Sequence, residues 1–157
     1  PVESLQKMMD AKLRQLEPLK YTADELAWAA TIRESLGDDA PELAEAAQIE
    51  DYAVLTGYGS TDVGDVSRAV PTVSVRTATW VPGTAAHSWQ AVAASGHSYG
   101  AKGTQHAAKA MMLAAVELYT NPQLRETAKA EFIAARGEDY VYESLLGDRA
   151  PPLDYRK

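Results

Sequence analysis

The chain has 157 residues, 46% of them hydrophobic and 24% charged, with a formal net charge of −7. One ordinary domain fits that length, and the apolar fraction is sufficient for a core, which excludes global disorder. The acidic balance argues against unaided binding to nucleic acid or an anionic membrane, since both need a basic face. The lack of cysteine excludes a disulfide scaffold and every thiolate-ligated zinc site. No apolar run approaches the ~20 residues that span a bilayer, and no signal peptide is visible. A cytoplasmic location is therefore expected, with no membrane and no nucleic-acid partner. The chain starts at Pro1 rather than Met and reads as a fragment or a processed product.

Leu5, Met9, Leu13 and Leu16 fall near helical spacing, predicting an amphipathic helix over 2–16 that ends before Pro18. Thr22 and Glu25 have capping-box spacing, and a helix over 23–36 follows, presenting Leu26, Ala29, Ala30 and Ile32, with Gly37 as its stop. Pro41 suits the first turn of a short third helix over 41–48. Residues 51–56 are a short apolar run, strand or loop. Residues 57–67 hold Gly57, Gly59 and Gly64. The run Thr72-Val-Ser-Val-Arg-Thr-Ala-Thr-Trp-Val81 is rich in β-branched residues and predicts a strand, ended by Pro82 and Gly83. A single strand has no ladder partner, so it is expected to join a sheet whose other strands lie outside this chain. Residues 95–104 read as a glycine-containing loop, followed by a helix over 104–120. Asn121 and Pro122 cap and open a last helix that Gly137 closes near 136. The Met111–Met112 pair reads as core. Asp38–Asp39 and Glu50–Asp51 read as solvated surface.

Of the three histidines, His87 is the best site candidate. It follows the strand, a Pro-Gly turn and the small residues Thr84, Ala85 and Ala86, which leave room for a ligand or a metal. The competing reading is a histidine that caps a helix or satisfies a turn, because one imidazole makes no metal site. His97 and His106 read as solvent-facing or packing residues. In Gly59-Ser-Thr-Asp-Val-Gly-Asp-Val-Ser67, the residues Ser60, Thr61 and Asp62 can cap a short helix or help hold a carboxylate. Asp62 or Asp65 can orient a metal-bound imidazole through its second nitrogen. The plainer reading there is an ordinary cap in a turn. No phosphate-binding loop, nucleophile elbow or His-Glu-x-x-His helix is present.

Three segments in order carry a resemblance. They are 59–67, Gly83-Thr-Ala-Ala-His-Ser-Trp-Gln90, and Lys102-Gly-Thr-Gln-His-Ala-Ala-Lys-Ala-Met111. Together they resemble the C-terminal region of the amidohydrolase/carboxypeptidase-G/aminoacylase family of co-catalytic metallopeptidases, nearest to its aminobenzoyl-glutamate-utilising members. The resemblance implies an α/β fold, with this chain as the helix-rich C-terminal half of a zinc-peptidase-like mixed-sheet catalytic domain. Residues 1–20 would return from a missing lid domain, 21–150 would form the half-domain, and 151–157 a tail. It implies hydrolysis of an amide bond in an N-acyl amino acid such as aminobenzoyl-glutamate. Two divalent ions, zinc or manganese, would lower the pKa of a water. His87 matches the last metal-binding histidine, and Asp62 matches an acidic position with an orienting or structural role. Ser60 and Thr61 are candidates for binding a substrate carboxylate. The other ligands and the general-base glutamate belong to an N-terminal half that is not in this sequence. The chain alone is therefore expected to be inactive and to bind no metal tightly, while the whole protein is expected to be a homo-oligomer. The alternative is a non-catalytic standalone binding module that keeps the fold.

Overall fold

The computed structural model of the chain describes residues 2–53, 61–144 and 146–154. Its regular elements are α1 (Glu3–Arg14), α2 (Ala23–Glu34), a 3-10 turn (Leu43–Ala47), α3 (Val63–Ala69), α4 (Trp89–Ser95), α5 (Ser98–Thr120) and α6 (Pro122–Arg136). Among the described residues there is no β-strand and no sheet. The expected α/β mixed-sheet fold is therefore corrected to an all-helical arrangement. Residues 71–79 run without regular structure, because β-branched composition alone cannot make a strand when no neighbouring backbone supplies a ladder.

Local chemistry sets most helix ends. Thr22 Oγ1 accepts from the Glu25 amide at 3.2 Å, and Glu25 Oε2 accepts from the Thr22 amide at 2.7 Å, completing the capping box that opens α2. Asn121 Oδ1 accepts from the Leu124 amide at 3.0 Å, with Pro122 in the first turn of α6. Gly37 and Gly137 follow α2 and α6 with φ of 96° and 94°. The expected third helix is a 3-10 turn two residues shorter at its start. Arg33 fixes the preceding loop by donating to the carbonyls of Ala40 and Pro41, both at 2.8 Å.

Two cores share α5. In the first, Leu5, Met8 and Met9 of α1 pack with Ala110 and Ala114 of α5 and with Ala128 and Phe132 of α6. In the second, Ala29 and Ile32 of α2 pack with Ala46, Val81 and Tyr99. The expected loop over 95–104 is mostly helix: α5 begins at Ser98, with Gly100 and Gly103 inside it. The glycines are there for close approach. A Cβ on Gly103 would collide with the Ala78 carbonyl oxygen, and one on Gly100 would lie 2.8 Å from that of Thr79. Helix α5 thus lies against the backbone of the 77–79 segment, and Thr77 Oγ1 donates to the Gly103 carbonyl at 2.9 Å. The Met pair is also corrected: Met112 is 61% exposed and Met111 is exposed too, while the small residues Ala110 and Ala114 face the core. In α2, Leu26 and Ala30 face solvent, and only Ala29 and Ile32 of the expected set are buried.

Candidate functional site

The turn that holds His87 is built against α2. Pro82 and Gly83 turn the chain, Gly83 at φ 88°. A Cβ on Gly83 would meet Pro41 Cδ at 2.8 Å, so the turn sits directly on the loop that Arg33 clamps. The Thr84 amide donates back to the Val81 carbonyl at 3.1 Å. Beyond the turn, Ser88 spans His87 with one hydroxyl. Its Oγ donates to the Ala85 carbonyl at 2.7 Å and accepts from the Ala91 amide at 3.2 Å, which caps α4. Gln90 Nε2 then donates to Ser35 Oγ at 3.2 Å, tying α4 to the end of α2.

Within this frame His87 has φ 61°, and among the described residues it is the one non-glycine with positive φ. Histidine tolerates that region better than most residues, but it still costs on the order of 1 kcal/mol. The side chain is exposed, and the neighbouring Ala85 and Ala86 are exposed and too small to cover it. No described side chain or backbone group bonds to the imidazole.

The other expected residues do not converge on it. Ser60 lies outside the described residues, as do Gly57 and Gly59. Thr61 Oγ1 accepts from the Val63 amide at 3.2 Å, one residue ahead of the α3 N-cap position. Asp62 lies at the start of α3 without a side-chain capping bond. The whole run 61–70 is exposed, and no hydrogen bond joins Asp62 or Asp65 to His87. Among the described residues no three His, Cys, Asp or Glu side chains group as a metal site. The described chain therefore offers no ligand set for the implied pair of ions, and His87 stands alone.

Elsewhere, the sequence reading missed a seam between α2 and α5. Glu25 is 5% exposed. Its carboxylate accepts from Lys102 Nζ, from Ser98 Oγ at 2.8 Å and from the Thr22 amide. The Lys102 ammonium, then the Thr22 amide, hold its pKa at about 2. Beside it Tyr21 stacks on Tyr99 at 4.2 Å, and Trp28 stacks on His97 at 4.0 Å. His97 Nδ1 accepts from the Tyr99 amide at 3.1 Å and caps α5. Tyr99 is fully buried, and burial pushes its phenol well above the ordinary range and that of Tyr21 up as well. No local periodicity links Glu25 to Lys102, which are 77 positions apart. His106 is half-buried, and burial followed by the Lys109 ammonium lowers its pKa.

Comparison of the chain with protein-family models, with curated proteins and with solved structures gives no match.

Proposed function

We propose that the 83–90 turn supplies one metal ligand, His87, to a metal-dependent hydrolase of amide bonds in N-acyl amino acids such as aminobenzoyl-glutamate. The remaining ligands and the general-base glutamate come, in this reading, from polypeptide outside these 157 residues. The observation that carries it is the backbone of His87: a positive φ held by Ser88 beneath an exposed, unbonded imidazole. Strain maintained at a polar residue that makes no internal contact is a mark of function rather than of packing. The order of the three motif segments adds the reaction class. When bound, the divalent ions supply Lewis acidity and lower the pKa of a water. The chain's own part is to present one exposed imidazole from a backbone turn of positive φ. Asp62 and Thr61 have no hydrogen bond to it here; in this reading Asp62 keeps an orienting or structural role and Thr61 a part in binding a substrate carboxylate.

The test uses a longer polypeptide that contains these residues together with the absent ligands, assayed on aminobenzoyl-glutamate with zinc or manganese. His87→Ala is expected to lower kcat/KM on the order of a thousandfold and to reduce bound metal. An unchanged rate in that variant, or robust hydrolysis by the 157-residue chain alone, would sink the reading.

One observation favours the second reading, a binding module. The outward face of α5 exposes Met111, Met112, Val116 and Tyr119, and Lys109 is the one charge among its exposed positions between Ala101 and Tyr119. Uncovered apolar faces of this kind mark association. Retained hydrolysis in His87→Ala with loss of association in Met112→Glu would select it.

A further inference from the structure

Helix α5 buries one face and leaves the other open. Tyr99, Gly100, Gly103, Ala110 and Ala114 are buried. At about 100° per residue, the opposite side is centred on Ala101, Ala108, Met112 and Tyr119, with Gln105 and Ala115 beside them. All of these are exposed. They form two rows at heptad spacing, Ala101–Ala108–Ala115 and Gln105–Met112–Tyr119. That is the seam of a helix that pairs with another helix along its length.

Charge is absent from the centre of this face. Between Arg76 and Arg125 the only acidic or basic residues other than histidine are Lys102, Lys109 and Glu117. Lys102 is engaged by Glu25, and Glu117 by Lys12 and Asn121. Lys109 stands at the edge of the stripe, where its ammonium reaches water along its own stem. The acidic balance of the chain therefore sits away from this face. A second copy with the same net −7 meets only longer-range repulsion, which physiological salt screens beyond ~8 Å.

Side-chain size selects the partner. When two copies of α5 lie antiparallel about a two-fold axis level with Ala110, residues equidistant from that level share a layer. Ala101 then shares a layer with Tyr119, Ala108 with Met112, and Ala115 with Gln105. Each layer holds one small and one large residue, which is how facing helices interdigitate, and symmetry repeats each layer. A parallel pair instead sets alanine beside alanine and methionine beside methionine. From Ala101 to Tyr119 the stripe runs roughly 27 Å. A single-helix face of that length lies at the small end of specific interfaces, about 1,200 Å² in total, and sets a dissociation constant on the order of micromolar.

We propose that the outward face of α5 is a self-association surface, pairing antiparallel with α5 of a second copy about a two-fold axis at Ala110. The inference rests on the exposed α5 face that favours the binding-module reading and names its partner; it uses nothing at His87.

Sedimentation equilibrium is expected to show a reversible, concentration-dependent dimer. Met112 is 61% exposed, so Met112→Glu should leave the helical circular dichroism unchanged. Two-fold symmetry places the new carboxylate in the interface twice, and the dimer should weaken at least about a hundredfold. Register is read by oxidation, since the chain has no cysteine of its own. A mixture of the Ala108→Cys and Met112→Cys chains should cross-link one variant to the other, with little cross-linking of Ala108→Cys to itself. The proposal is overturned by a monomer at millimolar concentration, by a dimer that survives Met112→Glu, or by Ala108→Cys cross-linking to itself as readily as to Met112→Cys. It is equally overturned if the chain is monomeric and a longer polypeptide shields Met112 from peroxide, which gives the face to that polypeptide. A monomer that binds a different protein, and loses it in Met112→Glu, removes this partner and keeps the binding-module reading. None of these results bears on the His87→Ala hydrolysis assay, so the two fail separately.

Discussion

The α2–α5 seam and the 83–88 turn are opposites. The seam gathers a carboxylate, an ammonium, two phenols, an indole and an imidazole, which by residue type alone looks like an active site. Yet the Glu25 carboxylate is filled by internal donors, and the rings stack on one another. The turn offers a single imidazole with nothing bonded to it, on a backbone angle that most side chains avoid. Chemical richness that is internally satisfied stabilises the fold. Chemical sparseness that is strained and open is what a ligand can use. The seam therefore reads as the joint between helices, and the turn as an exposed feature outside both cores.

That contrast can be broken most forcefully at Gly103. Its Cβ would press on the Ala78 carbonyl, and backbone cannot move aside as a flexible side chain can. Gly103→Ala is expected to cost about 3 kcal/mol or more in urea unfolding. A loss under about 1 kcal/mol would mean that α5 does not hold the 77–79 backbone as tightly as described. Next is Glu25→Ala, which removes a cap and leaves Lys102 without its carboxylate. A loss of about 2 kcal/mol is expected. The pH dependence should match. Glu25 has a folded pKa of about 2 against an ordinary 4.5. Its contribution is therefore complete above pH 4.5 and fades as the pH falls from there toward 2. A thermal scan across that window should flatten in Glu25→Ala relative to the parent.

The turn should respond in the opposite direction. His87→Gly relieves the positive φ and is expected to stabilise the chain by about 0.5–1 kcal/mol, offset in part by the freer unfolded state of glycine. A stabilised variant would sharpen the contrast between the regions, whereas destabilisation would make His87 a packing residue. The smallest effect belongs to Thr77→Val, which deletes the bond to the Gly103 carbonyl. It should cost about 1 kcal/mol, read as a shift in the denaturation midpoint.

Much of the helical framework was legible because its signals are local. Thr22 with Glu25, and Asn121 with Pro122, each act within one turn, so the sequence places those helix starts correctly. The periodicity of Leu5 and Met9 likewise marks the buried face of α1. His87 was legible as a residue of interest from its small neighbours, but its positive φ was not, since that depends on Ser88 bonding on both sides of it. Helix α4 was missed because a seven-residue helix has little periodicity to read.

What the residues alone determined is therefore the capped starts of α2 and α6, the buried stripe of α1 and the acidic balance. Tertiary structure decided the rest. Whether Thr72–Val81 becomes a strand depends on a partner backbone that no local pattern contains, and in this fold it lies against α5 instead. Whether Gly100 and Gly103 break a helix or permit contact depends on what approaches them, here the carbonyls of Ala78 and Thr79. Whether Met111 and Met112 are core depends on which face of α5 the neighbours cover; the small face carrying Ala110 and Ala114 allowed α1 and α6 the close approach that packing requires.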